Sequence, residues 1–444
     1  MLERIKQKMK EISKCIIAFF IMIILFCSTL TLSSLIPKKC IEEKVSESAK
    51  ILEEQTDRLY IPIHLKSIYM LYDNFTDALM INTAFSIDSK TPFYSAIVAR
   101  KNYIEGTTKK IYPDTIGELK SSSKHEDFTQ VGDLVDTVNN DTEESFEYAR
   151  YWHGYLIFLR PLLIVFNVAQ IRILLFIIFL ILAIILLYKI YKRINIQTAV
   201  IFLFGLIICD YFFESLSLQG SAVFLITMIT SILIFSKDFK NKAILYFIVG
   251  GLTSFFDFLT VPIITLGIPL LIDIMISENK DFKTDFKTVL KNCIMWAIGY
   301  SSVFISKWVI TDIIYNKGLI NTTIEQLKYR TLSNGDLKDH ISIIDAIFMN
   351  FKLLLKEIYI ALLFTVIMVL IKFFKKDAKT VFNYKKMIIY WMIGFLGIMW
   401  YVLLKEHSYQ HYYFTYRNCF LIVVAFFIGI YNGVERVKDE EKNK

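Results

Sequence analysis

The uncharged run CIIAFFIMIILFCSTLTLSSLI, Cys15–Ile36, decides the class of protein. A hydrocarbon core about 30 Å thick takes roughly 20 helical residues to cross, and this run supplies them. The basic stretch ahead of it, MLERIKQKMKEISK, gives it the look of a secretory leader. Leader cores are shorter, however, at about 7 to 15 residues, and no A-x-A-like cleavage signal follows Ile36. The run therefore predicts an uncleaved membrane anchor.

Further apolar runs lie near 171–188, 194–211, 216–235, 243–257, 259–276, 292–311, 357–371, 387–404 and 417–432. In a chain of 444 residues that is 55% apolar and 15% aromatic, they predict an all-α polytopic membrane protein of about ten transmembrane helices. It is organised as a single membrane domain, 1–444. The net charge of +8 does not point to nucleic acid, because the basic residues gather at the ends of apolar runs, where membrane topology accounts for them. Lysine outnumbers arginine 40 to 10 and isoleucine is abundant, which fits an AT-rich bacterial genome. Five of the six cysteines (Cys15, Cys27, Cys209, Cys293, Cys419) fall in or at apolar runs, which argues against a disulfide framework or a zinc site.

Loop charges orient the chain. The connections YKRIN, SKDFKNK, SENKDFKTDFKTVLK and KFFKKDAKTVFNYKK and the tail ERVKDEEKNK are rich in lysine or arginine and fall on one side if the spans alternate. The positive-inside bias makes that side cytoplasmic, with both termini on it, in an inner (cytoplasmic) membrane. The other side receives a large first outer loop, about 38–154, a second at about 312–356, and short loops around 210–214, 257–262 and 405–417.

The unusual polar residues collect on that outer side. In IHLKSIYMLYDNFTDALMINTA, Ile63–Ala84, an apolar stripe at Leu65, Ile68, Tyr72, Phe75 and Leu79 predicts an amphipathic helix. Asp73 and Asp77 are four apart and so project from one face of it. Such a pair either raises one pKa or recruits a cation, or else is simply solvated on a surface helix. In EYARYWHGYLIFLRPLL, Glu147–Leu163, the aromatics suit a membrane interface. Arg160, in a chain that uses lysine by default, suggests bidentate binding of a phosphate or carboxylate.

Asp210 and Glu214 in IICDYFFESLSLQG, and Asp257 in LTSFFDFLTVP, sit at the ends of apolar runs. Ionisable groups at that depth must face a cavity or a partner. In KEHSYQHYYFTYRN, Lys405–Asn418, His407 and His411 are four apart, with Arg417 farther along. Two histidines without a local third ligand are a weak metal motif. Neutral histidine with arginine equally suits a phosphate cradle able to protonate a leaving oxygen, and polar residues among anchoring tyrosines are the plainer alternative.

An anchoring first helix, an outer loop of LYDNFTDALM character and many following spans with RYWHGYLIFLRPLL, FFDFLTVP and HSYQHYYFTYR at their outer ends together resemble the GT-C superfamily of membrane glycosyltransferases. That superfamily includes protein mannosyltransferases and aminoarabinose transferases. The resemblance is architectural, and Asp73 lies well downstream of the first helix, where the family's usual acidic pair is close behind it. It implies a polyprenyl-phosphate-linked sugar as donor and a cell-envelope glycan, lipid or protein as acceptor. It further implies Asp73 or Asp77 as catalytic base, and Arg160, His407, His411 and Arg417 as holders of the donor phosphate. Asp210, Glu214 and Asp257 are then cavity acids. The cofactor set stays open, a divalent cation (Mg or Mn) being compatible with paired carboxylates. A transporter or lipid flippase, an envelope polysaccharide polymerase or ligase, and an assembly factor without catalysis are the competing readings. Nucleic acid is not an expected partner.

Overall fold

The computed structural model describes residues 2–56, 61–62, 69–70, 73–102, 129–140, 145–236, 242–277, 281–316, 318–321, 323–324, 341–355 and 379–437. Five helical segments in it are long and apolar enough to cross a membrane: Met9–Ser34, Val168–Arg193, Phe282–Tyr315, Tyr384–Leu403 and Tyr412–Gly433. The chain is an all-α membrane protein at this level, and four more apolar helices, Ile196–Ile208, Leu218–Ile234, Lys242–Phe256 and Ile264–Ile276, are shorter. Each expected run therefore coincides with helix except 357–371, which lies outside the described residues.

We number the helices α1 (Leu2–Ser34), α2 (Lys38–Thr56), α3 (Asn74–Phe85), α4 (Pro92–Val98), α5 (Thr129–Asn140), α6 (Leu156–Leu162), α7 (Val168–Arg193), α8 (Ile196–Ile208) and α9 (Leu218–Ile234). Then follow α10 (Lys242–Phe256), α11 (Ile264–Ile276), α12 (Phe282–Tyr315), α13 (Ile343–Lys352), α14 (Tyr384–Leu403), α15 (Lys405–Gln410), α16 (Tyr412–Thr415) and α17 (Cys419–Gly433). Three two-stranded antiparallel ribbons add local closures. In one of them Arg100 pairs with Glu147, and the two side chains make a 3.1 Å ion pair.

Side-chain contacts fix which helix ends lie together. Lys291 near the start of α12 pairs with Glu11 of α1 at 3.0 Å, Lys242 at the start of α10 pairs with Asp273 near the end of α11, and the Asn383 amide before α14 donates to Gly433 at the end of α17. These contacts mark one end of the bundle, and among the described residues Lys242, Lys283, Lys287, Lys385 and Lys386 stand on helix starts at that end. At the opposite end α2–α5 form a cap. Ser48 of α2 accepts from the Val168 amide at 2.9 Å, and Asn167 caps α7 while also donating to Glu47 at 2.8 Å.

Two apolar cores hold the molecule. One fills the space among α7, α8, α9, α11, α14 and α17, and the other runs from the cap into α1, α10 and α12. Phe26 of α1 stacks on Phe255 of α10 with centroids 3.8 Å apart, and the Trp152 indole meets Phe26 edge-on while donating to the Val303 carbonyl at 2.8 Å. Trp152 and Tyr155 of RYWHGY therefore belong to this core, and Tyr151 is buried against Phe258 and Phe304, so these rings pack inside the protein and not in a membrane-interface belt. Neighbouring helices packing on both sides of this short segment leave its rings no water-facing edge.

Helices α10 and α12 cross with almost no side chain between them. Gly250 faces the backbone of Trp296 and Tyr300, and Gly299 faces the Phe247 carbonyl, so a Cβ at either position would overlap backbone. Facing away from both cores, Ile16, Ile17, Phe20, Ile24 and Leu25 of α1 and Ile173, Ile177, Leu180, Ile181 and Ile184 of α7 are exposed apolar side chains. Surfaces of this kind are covered by lipid hydrocarbon.

Candidate functional site

The first-loop acids sit where the cap meets the bundle. The helix expected over Ile63–Ala84 begins only at Asn74, because Asp73 is its N-cap and accepts from the Thr76 amide at 3.1 Å. Of the expected stripe, Phe75 and Leu79 are in α3, whereas Leu65, Ile68 and Tyr72 lie outside the described residues. Asp73 and Asp77 still point toward the same neighbour. The Ser217 hydroxyl donates to Asp73 Oδ2 at 3.3 Å, and the next amide, Leu218 N–H, donates to Asp77 Oδ1 at 2.8 Å.

The two acids have different surroundings. Asp77 is fully buried, and its Oδ2 accepts from Arg172 Nε at 3.1 Å and Nη2 at 2.8 Å. Arg172 also donates to Asn74 Oδ1 and Gln55 Oε1, both at 2.9 Å, so one guanidinium near the start of α7 gathers α2 and α3. Asp73 is only partly buried. Asp77 thus docks the helix, and Asp73 is the more exposed of the two carboxylates.

Beside them lies the turn between α8 and α9. Asp210 adopts a left-handed conformation (φ 55°), which aspartate tolerates, and its carboxylate accepts from the Tyr416 hydroxyl. Glu214 is buried and its Oε2 contacts Arg417 Nε. Its other oxygen lies over Gly220, where a Cβ would coincide with it. Burial pushes the Glu214 carboxyl up to about 7 against the pull of the Arg417 guanidinium, and the nearby charges of Asp73, Asp210 and Asp77 push the same way as burial. The Arg417 guanidinium also stands over the Tyr416 ring, 5.2 Å from its centroid.

Asp257 follows α10 in a tight turn. Its Oδ1 accepts from the Thr260 amide at 3.0 Å and from the Thr260 hydroxyl, while its buried Oδ2 has no hydrogen-bond partner among the described residues. Burial raises this carboxyl to about 6. Leu259 in the same turn has φ 64°, a strained value for a leucine, and its carbonyl accepts from His407 Nε2 at 2.8 Å. That geometry puts a proton on Nε2 of His407. The stretch 405–418 is not one helix but two short ones and a 3-10 turn, yet the His407 and His411 rings remain adjacent at 4.7 Å. His411 Nδ1 meets the Tyr413 hydroxyl at 3.2 Å, and Tyr413 is within electrostatic reach of Asp73.

Asp73, Asp77, Asp210, Glu214 and Arg417 are thus linked through the Ser217–Leu218 start of α9 and Tyr416, while Asp257, His407 and His411 form a second group through the turn at Leu259. Arg160 is not among them. Its buried guanidinium donates to three main-chain carbonyls, of Ser33 at 3.0 Å and of Ile36 and Ala84, pinning the end of α1 to the end of α3. Those bonds use the donors that an external phosphate would need. Among the described residues no group of three His, Cys, Asp or Glu side chains is arranged to hold a metal ion.

Among the described residues three buried cations escaped the sequence reading, one being Lys101, which pairs with Asp133 at 3.2 Å. Arg172 is an arginine at the head of an apolar run, the same signal that singled out Arg160. Lys307, within the run 292–311, is fully buried, donates to the Ile97 carbonyl and stands 5.4 Å from the Trp152 ring. An ionisable residue inside an apolar run was the available signal there.

Comparison with family models finds no match, and comparison with curated proteins and with solved structures finds none either.

Proposed function

We propose that the chain is an outward-facing membrane glycosyltransferase of the GT-C kind, with both termini cytoplasmic, that moves a sugar from a polyprenyl-phosphate donor to a cell-envelope acceptor. The observation that carries this reading is the partly buried carboxylate of Asp73, which caps a helix of the cap and is joined through Ser217 to Glu214, the partner of Arg417, at the ends of membrane helices. In the proposed direct displacement, Asp73 takes the proton of the acceptor hydroxyl as that oxygen bonds to the sugar's anomeric carbon. The bond from that carbon to the donor phosphate breaks, and Arg417 with the neighbouring histidines holds the departing phosphate. A donor that arrives through the bilayer suits a site opening at helix ends, because nucleotide sugars are not expected outside the cytoplasmic membrane. The lysines on helix starts at the far end of the bundle support the orientation.

The test is transfer from a panel of polyprenyl-phosphate sugars to extracted envelope material by the purified protein in lipid, read by mass spectrometry. Sugar transfer by wild type and its loss in Asp73→Asn are expected. No transfer with any donor, or full activity in Asp73→Asn, would overturn the reading.

A further inference from the structure

Arg417 is held by an incomplete partner. Glu214 meets it through Oε2 at Nε, and neither Arg417 Nε nor Glu214 Oε2 gains a hydrogen bond of acceptable geometry from the contact. No protein group among the described residues bonds the terminal Nη nitrogens. A guanidinium is built to fork onto two oxygens, and this one is presented with its fork open.

The surrounding charges decide what can occupy that fork. Facing Glu214 are Asp73 and Asp77 from α3, with Arg172 of α7 behind Asp77. Asp210 and Cys209 approach from the end of α8, and Tyr416 and Arg417 from the turn before α17. α9 and its cap Ser217 contribute no charged group. Four carboxylates thus share two guanidiniums. A phosphate entering this site adds negative charge to an excess already present, and in a buried place that is unfavourable unless a proton comes with it.

We infer that Glu214 is an internal stand-in for the phosphate: a lipid phosphate takes the Arg417 fork, and Glu214 leaves the ion pair by accepting a proton from solvent. Identifying the anion as a polyprenyl phosphate rests on the function proposed above, while the exchange itself rests only on the geometry of Glu214, Gly220 and Arg417. Gly220 matters because it leaves the space in which the Glu214 carboxyl sits. Binding is thereby coupled to protonation, and the Glu214 carboxyl, already raised toward neutrality, is the group poised to take the proton.

The experiment is calorimetric titration of the full-length protein in lipid nanodiscs with sugar-free polyprenyl phosphate, at about pH 8, where Glu214 is mostly ionised, in two buffers of different ionisation enthalpy. Uptake of about one proton per lipid bound is expected, with affinity falling as pH rises. Glu214→Gln should bind at least about tenfold more tightly, without uptake and without pH dependence, since the competing charge is gone. Binding by wild type with no proton uptake, uptake persisting in Glu214→Gln, or no binding at all would each overturn the inference. The wild-type measurement decides even where the variant fails to fold. Inorganic phosphate serves as the second ligand, and binding as tight as the lipid's would overturn the lipid as its source. Proton-linked binding by a protein that transfers no sugar would sink the transferase reading alone, and sugar transfer without proton uptake would sink this inference alone.

Discussion

Removing either partner of the Asp77–Arg172 pair should unseat the cap. The pair is buried on both sides and its closest contact is 2.8 Å. At an effective dielectric of about 20, charges at that separation attract by about 6 kcal/mol, most of which offsets the cost of taking them out of water. The net loss on deleting one partner is larger than the net worth of the pair, because the survivor stays buried and unpaired. Asp77→Asn turns an NH2 group toward the Arg172 donors, so it should cost about 3 to 5 kcal/mol. Arg172→Met should cost as much, since it also strands Asn74 and Gln55. The double variant Asp77→Asn/Arg172→Met leaves no orphan charge and should recover at least about half of the summed loss. Unfolding in mixed detergent–SDS micelles measures all four proteins, with protease cleavage within the cap as a second readout. Single variants within about 1 kcal/mol of wild type, or a double variant whose loss equals the sum of the singles, would refute the assignment of Asp77 to docking.

Other consequences are as direct. Gly299→Val should abolish folding or cost several kcal/mol in the same assay, because its side chain would overlap the Phe247 carbonyl where α10 and α12 touch, whereas Phe20→Val on the exposed face of α1 should be nearly silent. Asp257 binds its proton more tightly folded than unfolded, so its ionisation should lower stability by about 3 kcal/mol as pH rises from about 4 through about 6, a loss absent from Asp257→Asn; a wild-type stability flat across that window would contradict this. Cysteines introduced at Ser122 and Asn334 should react with an impermeant maleimide added outside cells and one at Asp285 should not, the reverse pattern inverting the proposed orientation.

What was legible in the sequence followed from solvent periodicity and charge. Apolar runs marked helices because lipid permits little else, and clustered lysines marked a shared end of the bundle. That charges at the ends of apolar runs take partners was legible for a similar reason, and Glu214 meets Arg417 while Asp77 meets Arg172. Which charge takes which partner was not legible. Nothing local distinguishes Arg160, which three carbonyls occupy, from Arg172, which binds Asp77, because each choice is made by residues more than seventy positions away. The start of α3 was misplaced for a local reason. An apolar stripe continues through Asp73, but its carboxylate competes for the Thr76 amide and ends the helix there. The aromatics of RYWHGY were misjudged because burial by tertiary packing and burial in an interface select the same residue types.

Arg417→Lys tests the central claim most directly, since it keeps the charge and removes the fork. If Arg417 holds a lipid phosphate in the transition state, turnover of a polyprenyl-phosphate sugar at matched folded protein should fall by about a hundredfold or more, equivalent to about 2 to 4 kcal/mol. A lysine variant that turns over as fast as wild type would remove Arg417 from the site and with it the account of how the donor is held.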